Sequence, residues 1–517
     1  MKNLPLGINT FKILRENDCV YIDKTEYIHR LSRIPGRFFL SRPRRFGKSL
    51  LVDTIKELYE ANEQLFRGLF IYDRWDWSRK YPVIKIDFAS GIVQNIDQLN
   101  DRIRLILREN SNRLGIDIED TGLDIAGYFS CLISKTAEKY GKLAVVLIDE
   151  YDKPILDNID KPAVAGELRE GLKNLYSVLK GQDANLQFIF MTGVSKFSKV
   201  SLFSGVNQLN DITIDAKYSS ICGYTESDLK QYFHDYLDEK ELPQIQRWYN
   251  GYGWTGSETV YNPYDILLFF EKGMVFRNYW FESGSPAFLI KLFSQNRYFL
   301  PNLEQLDVSE EILGSFEVEK INPVTLLFQS GYLTIESMNT GQNRVMYRMK
   351  IPNEEVRTSL AEQLLSQYTE LNEEKVEAQR PMYNALSEGN LEQVVSAVKR
   401  LFAGIPWRNF TNNDLSESEG YYASVMYAFF VSLGARVIPE DITNHGQADM
   451  TVILGVHTYV LECKVIDEKA IDNNSALDQI ISRGYAEKYR GITGTVVHEA
   501  GFIFSREARN VIKVDWN

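Results

Sequence analysis

Apolar and polar positions alternate along this chain in blocks that separate strand from helix. Phe38 to Leu40 is a short continuous apolar run, as a buried strand requires, and from Leu51 the apolar residues recur at Leu51, Ile55, Leu58 and Tyr59, the spacing of a helix packed on a sheet. Three further strand-like runs follow: YPVIKIDF (Tyr81 to Phe88), Val145 to Ile148, and QFIFMTG (Gln187 to Gly193), with intervals long enough for helices. This alternation predicts an α/β domain with a parallel sheet covered by helices on both faces. Residues 222–360 read as mostly helical with a short strand near Tyr332 to Ile335, and 361–410 as charged and helical, including LSQYTELNEEKVEAQ. Beyond 411, an amphipathic helix over Ser416 to Gly434 precedes two strand-like runs flanking Gly455, and Ala476 to Tyr489 reads as a further helix. The expected organisation is an α/β domain at 1–221, a helical lid or winged-helix-like module at 222–360, a helical connector at 361–410 and a second α/β domain at 411–517. No internal repeat or low-complexity tail is visible.

The junction of the first strand and helix carries candidate chemistry. A phosphate cradle needs backbone N–H groups converging at a helix N-terminus, a Lys for the outer phosphates and a hydroxyl for Mg²⁺. Gly47, Lys48 and Ser49 supply these, within an expected nucleotide-binding stretch of Arg44, Arg45, Phe46, Gly47, Lys48, Ser49 and Leu50. Asp149 and Glu150 end the Val145 to Ile148 run, where parallel sheets bind ligands. Asp149 is placed to hold the metal with Ser49, and Glu150 to polarise the attacking water. Thr192, ending the neighbouring strand, either senses the γ-phosphate or simply caps the strand. One position departs from the usual spelling: Arg42 stands where such loops begin with Gly.

Composition narrows the partners. The formal charge is −12 over 517 residues, which excludes a chain that coats nucleic acid indiscriminately but leaves room for local basic patches such as Arg42 to Arg45. Cys19, Cys131, Cys222 and Cys463 lack paired spacing and fit reduced cytosolic thiols, and the five histidines show no ligand spacing, so no zinc is expected. No charged-then-apolar leader and no membrane-length apolar run is present, which predicts a cytoplasmic protein without membrane contact.

RPRRFGKS, LIDEYDKP and MTGVSKFSKVSLFSGVNQLNDIT (Met191 to Thr213) resemble the AAA-ATPase-like family of bacterial P-loop proteins. The likeness continues through CGYTESDL, WYNGYGW, VYNPYDIL, YWFESGSP and LLFQSGYLTI, covering most of residues 1–360. That family also carries Arg at the first-Gly position. The resemblance implies ATP and Mg²⁺ as cofactors. An oligomer that donates an arginine in trans is compatible with the sequence, with Arg44, Arg45 and Arg74 equally available. Tyr249, Tyr252, Trp254, Tyr261 and Tyr264 are either core or a stacking platform for single strands.

In HGQADMTVILGVHTYVLECK (His445 to Lys464), a two-residue turn at Gly455-Val456 puts Asp449 opposite Glu462, with Lys464 on the same face. Two carboxylates and an ammonium suit metal-assisted phosphodiester hydrolysis, with Mg²⁺ or Mn²⁺ relieving carboxylate repulsion and Lys464 orienting or deprotonating water. The pattern resembles the PD-(D/E)XK nuclease superfamily, which implies catalytic roles for Asp449, Glu462 and Lys464, metal ligation by Asp449 and Glu462, and a further acidic residue at Glu419. Glu440 is a weaker candidate. Gln479 alone carries over from the nucleic-acid-binding helix of some branches, since Arg483 follows it by four and the tyrosines fall at Tyr485 and Tyr489. The leading expectation is an ATPase coupled to a nuclease, ATP-dependent or ATP-regulated, that hydrolyses nucleic-acid phosphodiesters, DNA favoured over RNA. The alternative is a nucleotide-dependent switch or scaffold with an inactive nuclease-like domain.

Overall fold

A computed structural model describes the chain except residues 1, 120–121, 197–208, 257, 281–299, 315–321, 342–343, 370–373, 406–418 and 468–474. Parts of the motifs Met191 to Thr213 and YWFESGSP, part of LSQYTELNEEKVEAQ, the first three residues of the helix expected from Ser416, and the expected boundary at 411 therefore lie outside the described residues. The chain forms two compact units: Met1–Trp280 with Asp307–Asn353, and Phe281–Leu306 with Glu354–Asn517.

The first unit is built on strands β1 (Gly36–Ser41), β2 (Val83–Asp87), β3 (Ala144–Asp149), β4 (Leu186–Gly193) and β5 (Asn210–Asp211), in the order β2-β3-β4-β1-β5 with every pairing parallel. All six residues of β3 are buried, which requires cover on both faces and explains its unbroken apolar run. The helix Lys48–Tyr59 packs on β3, while Ile96–Leu114, Ile125–Tyr140 and Pro162–Gly181 pack against one another. Asn95 and Asp124 cap two of these by accepting from Gln98 N and Gly127 N.

In the remainder of this unit Tyr249, Tyr252, Trp254 and Tyr261 are buried. They are core, and offer no free faces to nucleic-acid bases. A three-stranded sheet of β6 (Leu306–Ser309), β7 (Thr334–Asn339) and β8 (Met346–Lys350) replaces the single short strand expected here. Asp307 and Arg348 form a fork-to-fork pair across β6 and β8, and three of the six β7 residues are exposed, so the apolar signal of these strands is diluted.

The second unit carries β9 (Arg436–Thr443), β10 (Gly446–Leu454), β11 (His457–Ile466), β12 (Val496–Ser505) and β13 (Asn510–Trp516), ordered β13-β12-β11-β10-β9. Only β11 and β12 run parallel. The helix Glu419–Ser432 is buried on every side from Tyr421 to Val431, because the helix Glu354–Thr369 packs on it as well as the sheet. This corrects the amphipathic expectation: a helix apolar all round belongs inside. Among the described residues no helix is long and apolar enough to cross a membrane.

Candidate nucleotide and metal sites

The loop from β1 to the helix Lys48–Tyr59 turns without its usual first glycine. Arg45 takes a left-handed backbone at φ 69° and Gly47 does so at φ 86°, so the curvature comes later in the loop. Arg42 is buried and donates to the carbonyls of Ser41, Thr213 and Tyr218, with its guanidinium 3.9 Å from the centre of the Trp254 ring. Burial pulls its pKa down to about 10. The basic loop is thus two exposed arginines, Arg44 and Arg45, and one buried brace. Arg42→Gly, which restores the usual spelling, is expected to lower stability by about 3 kcal/mol through three stranded carbonyls and a void under Trp254, with no gain in nucleotide affinity. Urea midpoints and ATP titration of the variant check both halves.

The helix N-terminus, at Gly47, has no side-chain cap, leaving its first amides for an anion. Lys48 is buried with Nζ 2.9 Å from the Pro43 carbonyl, and burial lowers its pKa. Ser49 and Leu50 are half-buried in the first turn, and Phe46 packs edge-on against Tyr252 and Trp254 at ring distances of 4.9 and 5.5 Å. Asp149 is fully buried, its Oδ1 accepts from Glu150 N, and Oδ2 finds no hydrogen-bond partner among the described residues. Burial raises its pKa, while the Ser49 hydroxyl lowers it. An orphaned carboxylate oxygen beside a hydroxyl and an ammonium fits Mg²⁺ held with a nucleotide phosphate. Glu150 is half-buried in a left-handed backbone at φ 50°, a conformation that costs energy and concentrates at functional positions. Thr192 is buried and donates its hydroxyl to the Leu40 carbonyl at 2.8 Å.

In the second unit the turn is the predicted one: Leu454 pairs with His457 around Gly455 (φ 61°) and Val456, and Met450 with Leu461. The next pair outward is Asp449 and Glu462. Asp449 Oδ2 accepts from Cys463 N at 2.7 Å, Asp449 N approaches Glu462 Oε2 at 3.3 Å, and Lys464 Nζ lies 3.3 Å from Glu462 Oε1. Glu462 is 2% exposed, and burial together with Asp449 pushes its pKa up to about 7. Burial also raises Asp449 and Glu419. Burial opposes charge on Lys464, but Glu462 and Glu419 outweigh it and raise the ammonium, which favours orienting over deprotonating water. Glu440 sits in β9 in a left-handed backbone at φ 45°, near enough that its charge raises Asp449.

Gln479 donates its amide to Glu462 Oε1 and lies 3.4 Å from the Tyr485 hydroxyl. The helix ends at Arg483, not Tyr489, because Gly484 turns left-handed at φ 60° and sends Tyr485 into the core. Sequence spacing missed Tyr485 because it comes six residues after Gln479. Among the described residues no three His, Cys, Asp or Glu groups converge to hold an ion alone. Two adjacent carboxylates, one raised by burial and by the other, have the chemistry to hold a divalent cation, with Asp449 and Glu462 as the residues that would bind it. A cation that bound there would displace the Glu462 proton below pH 7, so apparent Mn²⁺ affinity is expected to fall about tenfold per pH unit as pH drops below 7 and to level off above it. Calorimetric titration from pH 6 to 8 tests this, with Glu462→Gln removing the dependence.

A family model described as a predicted AAA-ATPase matches residues 5–203, and one for the PD-(D/E)XK nuclease superfamily matches residues 417–514. An Azotobacter chroococcum mcd 1 protein, described as an uncharacterized protein in the vnfD 5′ region, is 45% identical over 512 residues, spanning 99% of this chain and 98% of its own. The chain belongs to the AAA-ATPase-like family. Its C-terminal domain is a member of the PD-(D/E)XK nuclease superfamily, so one polypeptide joins ATPase and nuclease architectures. A crystal structure of Cdc6p from Pyrobaculum aerophilum aligns over 66% of this family member and 93% of that chain at 12% identity, with a TM-score of 0.25, too low to bear on fold or function.

Proposed function

We propose that the protein hydrolyses ATP at the Lys48 loop and that nucleotide state governs metal-dependent hydrolysis of nucleic-acid phosphodiesters, DNA favoured, at Asp449, Glu462 and Lys464. The observation that carries the reading is the second site: a buried Glu462 that meets the Asp449 backbone N–H and the Lys464 ammonium and feels the charge of the Asp449 carboxylate beside it. Lys48 and the open helix amides bind the outer phosphates, Ser49 and Asp149 hold the metal, and Glu150 orients water. At the other end Asp449 and Glu462 hold the metal, while Lys464 and Glu419 position water and phosphate. When bound, Mg²⁺ supplies charge neutralisation at each phosphate. Gln479 is proposed to hold Glu462 until nucleic acid arrives.

The test is cleavage of linear, circular and single-stranded DNA by purified protein in Mg²⁺ or Mn²⁺, with and without ATP. Equal cleavage with ATP, without it and in Lys48→Ala refutes the coupling. One observation favours a second reading, a nucleotide switch or scaffold with an inert nuclease-like domain: both Glu462 oxygens already accept hydrogen bonds. Metal binding that depends on Asp449 and Glu462 decides against it.

A further inference from the structure

The turn that carries Glu150 is laced to the exit of β4. Tyr151 N donates to the Thr192 carbonyl at 3.2 Å, and the Tyr151 hydroxyl donates to the Ser195 carbonyl at 2.9 Å. Asp152, 1% exposed, accepts from Val194 N at 3.1 Å, Ser195 N at 2.6 Å and Ser195 Oγ at 2.5 Å, all on Oδ2. Gly193 permits this approach, since a Cβ there would collide with the Asp152 carboxylate and the Tyr151 ring. Beneath, Tyr176 donates its hydroxyl to the Tyr151 carbonyl at 3.1 Å.

Two consecutive residues thus bind one strand exit by five hydrogen bonds, immediately after the residue in the left-handed conformation. A non-glycine residue at φ 50° persists only when its surroundings over-determine it, and among the described residues no side-chain hydrogen bond of Glu150 fixes it. Its own N–H is held by Asp149 Oδ1, and the rest of the restraint comes from the bonds on its C-terminal side. We infer that Asp152 is a positioning residue for ATP hydrolysis: by gripping Val194 and Ser195 it sets the backbone of Glu150 and so the direction in which that carboxylate meets water. The inference rests on the ATPase reading above. Ser195 is followed by Lys196, whose ammonium pairs with Asp211 of β5 at 2.6 Å, so the grip joins the exits of β3, β4 and β5 in one polar chain.

The role predicts a split between chemistry and binding, because Asp152 grips protein and makes no phosphate contact in the scheme above. Asp152→Asn keeps the shape but substitutes an N–H donor for one carboxylate oxygen, at a position where three donors converge. Steady-state ATP hydrolysis and binding of a non-hydrolysable ATP analogue, measured on the full chain, should show kcat down about tenfold or more with KM and analogue affinity within twofold. In a Glu150→Gln background the same change should add nothing further, since the group it aims is gone. Ser195→Ala, which removes only the hydroxyl bond, should lower kcat about threefold at unchanged KM, and serves if Asp152→Asn does not fold. Parallel loss of kcat and analogue affinity, or effects that multiply with Glu150→Gln, overturns the inference and leaves the ATPase reading intact. Wild-type protein without Lys48-dependent turnover overturns both.

Discussion

Glu462→Ala is expected to lower metal-dependent DNA cleavage by at least about 10³-fold, with folding intact. The substitution removes a buried carboxylate that faces Asp449 and Lys464, and with it one of only two protein ligands proposed for the ion. Losing a ligand acts twice, on occupancy and on the charge available to the scissile phosphate. Stability should hold or rise, because a carboxyl raised to about 7 by burial and by Asp449 is a poor guest in its ionised form. Gln479 and Lys464 lose a partner, but Lys464 is partly exposed and reaches water. Cleavage assays beside thermal melts separate the effects. Retained cutting at saturating Mn²⁺ would place the nuclease chemistry elsewhere.

Lys48→Ala should abolish measurable ATP turnover, a fall of about 10³-fold or more, and weaken nucleotide binding about tenfold or beyond. Lys48 is buried among Asp149, Glu150 and Asp152, each of which acts on its charge. Without it Asp149, Glu150 and Asp152 lose a cation that acts on each of them, so a triphosphate meets more negative charge and no ammonium in the loop. If the coupling proposal is right, the same variant also loses the ATP response of DNA cleavage while its ATP-independent rate persists. Fluorescent-nucleotide titration and phosphate release measure the first two quantities.

Much of this was legible in the chain because each signal was local. The β1 to helix junction needed only a strand run, Gly-Lys-Ser and one helical stripe, and the hairpin register followed from a two-residue turn at Gly455. What was not legible depends on neighbours distant in sequence. Arg42 looks like part of a basic anion loop until Thr213, Tyr218 and Trp254 close around it. Thr192 ends its strand where the sequence allows a sensor or a cap, and its hydroxyl bond to the Leu40 carbonyl depends on the β1–β4 pairing. The helix Glu419–Ser432 is apolar on every side from Tyr421 to Val431, which announces full burial, but the helix Glu354–Thr369 that covers it lies in a separate stretch of the chain. Asp152 stood in plain view within LIDEYDKP, but its three donors lie more than forty residues on.

The path of the backbone between the two units constrains how such a protein is assembled in evolution. Residues Asp307–Asn353 return to the first unit after the chain has already contributed Phe281–Leu306 to the second. There, the Thr334 hydroxyl accepts from Gly253 N at 2.6 Å and donates to the Gly253 carbonyl at 2.9 Å, and Asn353 donates to the Asn250 carbonyl at 2.8 Å. A cut at residue 280 would therefore remove the Thr334 and Asn353 bonds from the Trp248–Trp254 segment and leave the first unit incomplete. A boundary that keeps the first unit whole therefore falls after Asn353, because every stretch of that unit lies before it.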